Sequence, residues 1–127
     1  MSIHLDREMI DRQAVRQFAE RVGRVDVAEQ MLTMFLAEAR GHLQDFYRHL
    51  ESGDHTKLRS VLHSLKGGAG NAGVTGIANL CTRIREMGNA EMADKGHLLH
   101  AALQRAIERA ERETRSVVQD LAISPGA

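Results

Sequence analysis

The sequence predicts an all-α fold. Apolar residues recur three or four apart over most of its 127 positions. The single proline, Pro125, stands near the C-terminus, and no stretch alternates apolar with polar residues for long enough to make a strand. A chain of this length buries one core without staples, so residues 1–127 are read as one domain, with a core over about 5–120 and a frayed tail at 122–127.

A first helix is expected from about Arg7 to Val22, stopped near Gly23. Asp26 is the expected cap of a long second helix reaching about Glu51, in which Ala28, Leu32, Phe35, Ala39, Leu43, Phe46 and Leu50 line one face. Ser52-Gly53-Asp54 turns the chain, and Asp54 caps a third helix that begins near His55 and ends near Gly73. Thr75 is the expected cap of a fourth helix to about Met87, carrying Ile77, Leu80, Cys81 and Ile84, and closed by Gly88-Asn89. The last helix, about Glu91 to Leu121, presents Leu99, Leu103, Ala106, Ile107, Ala110, Val117 and Leu121, with the charge-rich run Arg105 to Arg115 as its solvated face. Connections this short force consecutive helices to reverse, which predicts an antiparallel up-down four-helix bundle with an additional short N-terminal helix.

Lysine plus arginine and aspartate plus glutamate each number 17, so the net charge is zero and no broad basic face exists for nucleic acid. Cys81 is the single cysteine, which excludes an internal disulfide and a thiolate zinc site and suits a reducing compartment. The apolar runs fall short of a membrane span, and the polar start MSIHLDREM lacks the apolar core of a signal peptide. These features predict a cytoplasmic protein without a membrane or nucleic-acid partner.

The third helix contains the stretch HSLKGGAGNAGV, His63 to Val74, whose four glycines each cost roughly 1 kcal/mol relative to alanine in a helix interior. At about 100° per residue, with His63 at zero, Leu58, Val61, Leu65, Ala69 and Ala72 cluster on the far side, between roughly 140° and 240°. That side faces the core. Lys66, Gly67 and Gly70 lie within about 60° of His63, so the imidazole is expected to point to solvent, with a cation one turn away and bare backbone beside it. Gly67 and Gly70 then clear the surface for close approach by another macromolecule, while Gly68 turns toward the packed side. His4, His42, His49, His55, His97 and His100 lack such surroundings and are read as ordinary surface residues.

An exposed histidine near neutrality offers a nitrogen lone pair that needs no general base. With a phosphoryl electrophile the product is a phosphoramidate, whose oxygens Lys66 meets as a point charge without a bidentate grip, which suits a group that must be passed on. No Mg²⁺ ligand set surrounds His63, so no cofactor or metal is assigned to this chain, and Mg²⁺ is expected on the partner.

These residues resemble the histidine-containing phosphotransfer (HPt) domain of bacterial multistep phosphorelays. The likeness lies in His63-Ser64-Leu65-Lys66-Gly67, followed by Asn71, Gly73, Leu80, Cys81 and Gly88, with LESGDHTKLRSVLHSLKG upstream and FLAEA from Phe35 to Ala39 in the second helix. It covers about residues 5–120. The resemblance implies that His63 is the phosphoacceptor, taking a phosphoryl group from the aspartate of a receiver domain in a response regulator or hybrid sensor kinase and giving it to another receiver. Lys66 carries over as the phosphoryl-charge partner and Gly67 as a clearance position. Two positions depart from the family's habit: Gly68, where serine is common, and Arg85, near which glutamate is common. Arg83 and Arg85 could add positive charge near the site, with surface solvation the preferred reading.

The chain has no glycine-rich nucleotide loop, so it is read as a phosphocarrier and not a kinase. A docking module that binds a receiver or other signalling protein without passing phosphate is the alternative. A metal-binding bundle would want Glu-x-x-His pairs, and none occurs. Met1 favours a freestanding protein over a piece of a hybrid kinase, and one accessible face suffices for a monomer.

Overall fold

The computed structural model describes residues 3–123. Its elements are α1 (Arg12–Val22), α2 (Val25–Ser52), α3 (His55–Ala72), α4 (Thr75–Arg85), α5 (Asn89–Asp94) and α6 (Gly96–Ile123). Among the described residues there is no strand, and the expected all-α class is what the chain forms. Pro125 and the rest of the expected tail from 124 onward lie outside the described residues, while 122 and 123 are still helical.

Helix α2 packs against α3 on one side and α6 on the other, α3 packs on α4, and α4 on α6, closing a ring of four. Contacts along α2 and α6 run in opposite chain order: a Cβ on Gly96 would meet Leu50, His100 meets Tyr47, and Glu111 pairs with Arg40. The two helices are therefore antiparallel. The ring encloses the apolar faces expected from the spacing, with Leu32, Phe46, Leu62, Leu65, Ile77, Leu80, Leu99 and Ile107 buried. Leu50 and Val61 are half-buried at its edge.

The cap of α3 is as expected. Asp54 accepts a hydrogen bond from the Lys57 N–H, and at the other end Gly73 adopts φ +78°, a left-handed conformation that closes the helix onto the carbonyls of Ala69 and Gly70. Other boundaries differ. The N-cap of α2 is Arg24, because Asp26 is drawn into a salt bridge with the Arg24 guanidinium and sits in the first turn instead of capping it. Val74, not Thr75, precedes α4, which ends at Arg85. Gly88 then opens the short α5, and the expected last helix is broken at Lys95. The residue after the break, Gly96, is buried where a Cβ would lie 2.6 Å from Leu50 Cδ1, so α6 starts where the backbone can come closest to α2.

The first helix begins five residues later than expected, at Arg12 instead of Arg7. Residues 3–11 form a non-helical strap across α4 and α6, with Met9 and Ile10 fully buried. The Met9 and Ile10 N–H groups donate to the Glu113 carboxylate at 3.0 and 2.9 Å, and the Met9 carbonyl accepts from the Gly76 N–H at 2.9 Å. Arg83 and Arg105 donate to the carbonyls of His4 and Ile3, and Arg109 to that of Arg7. Backbone groups committed to these partners cannot also close helical turns. The charge-rich run of α6 is thus not simply a solvated face: Arg105, Arg109 and Glu113 hold the strap, and Glu111 pairs with Arg40.

Candidate functional site

Helix α3 runs with its apolar face against α2 and α4, and its opposite face open. His63 is exposed on that open face, together with Gly67 and Gly70, and Lys66 is half-buried one turn on. A Cβ on Gly67 or Gly70 would meet nothing within 4 Å. Gly68, between them in sequence, turns the other way, and a Cβ there would stand 3.3 Å from the Phe35 ring. The helix therefore uses its glycines in two ways, leaving space around His63 and admitting α2 close behind it.

Helix α4 flanks this face on the Lys66 side. Cys81, on its inner surface, is fully buried. Burial pushes its thiol up to about 12, against the opposing pull of the nearby Arg85 and Lys66 charges. The thiol is held neutral and is not a nucleophile at physiological pH. Arg83 reaches the strap, donating to the His4 carbonyl at 2.9 Å and facing Asp6 at 3.8 Å, whereas Arg85 is half-buried in the last turn of α4.

Sequence reasoning missed Arg59. It lies four residues before His63, on the same face of α3, and crosses to the end of α4, where Nη1 donates to the Arg85 carbonyl at 2.9 Å and Nη2 to the Met87 carbonyl at 2.6 Å. Its Nε also donates to Asn89 Oδ1 at 3.1 Å. The only signal in the chain is the i, i+4 spacing to His63; the acceptors are mostly main-chain atoms, which no side-chain pattern announces. His49, His55 and His97 gather around one shallow depression at the far end of α2, but among the described residues no three His, Cys, Asp or Glu side chains are placed to hold a metal ion.

The Hpt domain family model matches residues 30–113, from within α2 through most of α6, including the whole His63 face and its α4 flank. The chain belongs to the Hpt domain family. Neither a curated protein nor a solved structure matches it. As an Hpt domain it has a histidine phosphotransfer role in phosphorelays, as a phosphocarrier and not a kinase, and Hpt domains interact with receiver domains. The matched span holds one ring that is exposed, flanked by a lysine on its own helix and bordered by open glycines, and that ring is His63. No helix among the described residues of this Hpt domain is long and apolar enough to cross a membrane.

Proposed function

We propose that His63 of this Hpt domain accepts a phosphoryl group from the aspartate of one receiver domain and passes it to the aspartate of another. The observation that carries the reading is the exposed imidazole on a face where Gly67 and Gly70 leave open space. In the forward step a ring nitrogen lone pair of His63 forms the N–P bond while the P–O bond to the receiver's aspartate breaks, the electron pair leaving with the carboxylate. The proton on the other ring nitrogen is then free to pass to solvent. In the second step a carboxylate oxygen of another receiver forms the P–O bond as the N–P bond breaks, the electron pair returning to the ring nitrogen, and a proton taken back from solvent restores the neutral imidazole.

Lys66 supplies the positive charge that the phosphoryl oxygens need in both directions, and Gly67 and Gly70 admit the receiver's surface to within reach of the ring. No cofactor of its own is required; the Mg²⁺ that phosphoryl transfer needs belongs to the receiver. The receivers are those of response regulators or hybrid sensor kinases, and the Hpt domain serves them in the cytoplasm as a monomer.

Incubation with a receiver domain labelled on its aspartate, with and without His63→Gln, tests the reading. Label moving to the wild type and not to His63→Gln is expected. Stable binding of the receiver with no label transferred by the wild type would instead make this a docking module.

A further inference from the structure

The sulfur atoms of this chain divide by burial. Of its six methionines, Met9 and Met92 are fully buried, Met31 and Met87 are half-buried, and Met34 stands 64% exposed. Met1 lies outside the described residues. Among the described residues no other large apolar side chain is as open as Met34, the next being Tyr47 at 45%. Cys81 is fully buried with its thiol pushed up to about 12, so it offers an oxidant no thiolate. The sulfur that meets solvent most freely is therefore the Met34 thioether.

Met34 also stands where a partner at His63 covers it. With Val27 and Met31 it forms the α2 wall of a groove of about 460 Å³, whose other wall includes Gly68 and Asn71 of α3. Gly68 and Asn71 follow His63 by five and eight residues, about 7.5 and 12 Å along the helix at about 1.5 Å per residue. Asn71 is exposed and lies about 80° around the helix from His63, on the edge between the groove and the open face. A protein–protein contact of ordinary size covers about 800 Å² of each partner, a patch roughly 30 Å across. A receiver centred on the His63 ring therefore closes over the mouth of this groove. Gly67 and Gly70, where a Cβ would meet nothing within 4 Å, let it come down to that depth.

We propose that Met34 is a reversible oxidation site through which hydrogen peroxide weakens receiver docking, and with it phosphoryl transfer, while His63 itself is unchanged. This rests on His63 being the phosphoacceptor. A lone pair on Met34 Sδ forms the S–O bond to one peroxide oxygen as the O–O bond breaks. The other oxygen takes the proton of the first and leaves as water, so sulfur is oxidised by two electrons and peroxide reduced by two. The product is a polar sulfoxide in place of a flexible apolar side chain. In the free protein water solvates it. Under a docked receiver it loses that water, and its apolar neighbours Val27, Met31 and Phe35 offer no donor in return. Oxidation thus acts on the complex and not on the fold, and methionine sulfoxide reduction reverses it.

The test treats the purified protein with increasing hydrogen peroxide, removes the peroxide with catalase, and locates the added oxygen by peptide mass spectrometry. Transfer is then measured against receiver concentration, using whichever of a panel of receiver domains, charged on the aspartate with radiolabelled acetyl phosphate, labels the wild type fastest. Wild type, M34L and M31L are each compared with their own untreated sample, with a thermal melt before and after and His63→Gln as the baseline. Met34 is expected to gain oxygen first. The receiver concentration for half-maximal transfer to the wild type should then rise roughly tenfold or more, with the saturating rate and the melting temperature held. M31L should respond as the wild type does, and M34L should keep its untreated concentration dependence. Treatment with the two methionine sulfoxide reductases, one for each epimer, should restore the wild type. Transfer unchanged once Met34 is oxidised would overturn the inference while leaving His63 in place. So would an equal loss in M34L, a loss that persists after the Met34 thioether is restored, or a loss that comes with a fall in melting temperature. If the untreated wild type takes no label above the His63→Gln baseline, the phosphotransfer reading fails and the inference with it.

Discussion

Gly68 lies against Phe35, so that a Cβ on the glycine would stand 3.3 Å from Cδ1 and Cε1 of the ring. One residue earlier the same helix is open: Gly67 would carry a Cβ into empty space. The pair turns a helix with poor intrinsic propensity into one that is close-packed behind and unobstructed in front.

Substitutions at these two positions should separate folding from transfer. Gly67→Arg is expected to fold with stability equal to or slightly above that of the wild type, because glycine is the poorer helix former by about 1 kcal/mol, and to lose transfer through obstruction of the receiver. Gly68→Leu drives into Phe35 and should cost about 1–3 kcal/mol, with transfer falling only as the folded fraction falls. Chemical denaturation alongside a transfer assay checks both. The opposite assignment of effects would mean that the His63 helix is rotated relative to this account.

The strap supplies a second prediction. Glu113 accepts from the main chain at both Met9 and Ile10, and Glu113→Ala leaves those N–H groups without their acceptor beside a buried methionine and isoleucine. A loss of roughly 1–3 kcal/mol is expected, with residues 3–11 becoming the first site of proteolytic cleavage. Protection equal to that of the wild type would show that burial of Met9 and Ile10 alone holds the strap.

How much of this was legible in the sequence divides along local and distant causes. The apolar spacing of α2, α3 and α6, the Asp54 cap and the glycine stops at Gly23, Gly53 and Gly73 are local, and all are where the spacing and turn chemistry put them. The strap is not local: Leu5, Met9 and Ile10 have a spacing compatible with a helix, and only the Glu113 carboxylate and the Gly76 N–H, far along the chain, draw their backbone out of it. The break at Lys95 likewise has its reason in Leu50, which lies against Gly96. At the candidate site, the direction of His63, Lys66, Gly67 and Gly70 followed from helical angle alone. The role of Arg59 did not, since its partners span the end of α4, which the sequence reading placed two residues too late.

A third prediction concerns pH. Burial, and secondarily the charge of His97, lowers the His100 pKa below the ordinary histidine value, while its ring packs edge-on against Tyr47 at 5.3 Å. The folded protein therefore binds this proton less readily than the unfolded chain. Its contribution to stability is intact above about pH 6.5 and diminishes as pH falls through the unfolded value toward the lower folded one. His100→Phe should flatten the fall in melting temperature between pH 7 and pH 5. An unchanged slope would show that His100 does not contribute to it.

Lys66 should matter to transfer far more than to folding. Its half-exposed ammonium has no carboxylate partner among the described residues, so Lys66→Ala is expected to change stability by no more than about 1 kcal/mol while slowing phosphoryl transfer by roughly tenfold or more. A large fall in melting temperature with transfer preserved would place the lysine in the packing instead of at the site.

The central claim is that the phosphoryl group resides on His63. Protein labelled by a phosphorylated receiver and digested under alkaline conditions should yield one phosphopeptide, containing His63, whose label is stable to alkali and lost in mild acid as a phosphoramidate must be. His63→Gln should carry none. Label persisting in His63→Gln, or residing on any other histidine of the chain, would contradict the account.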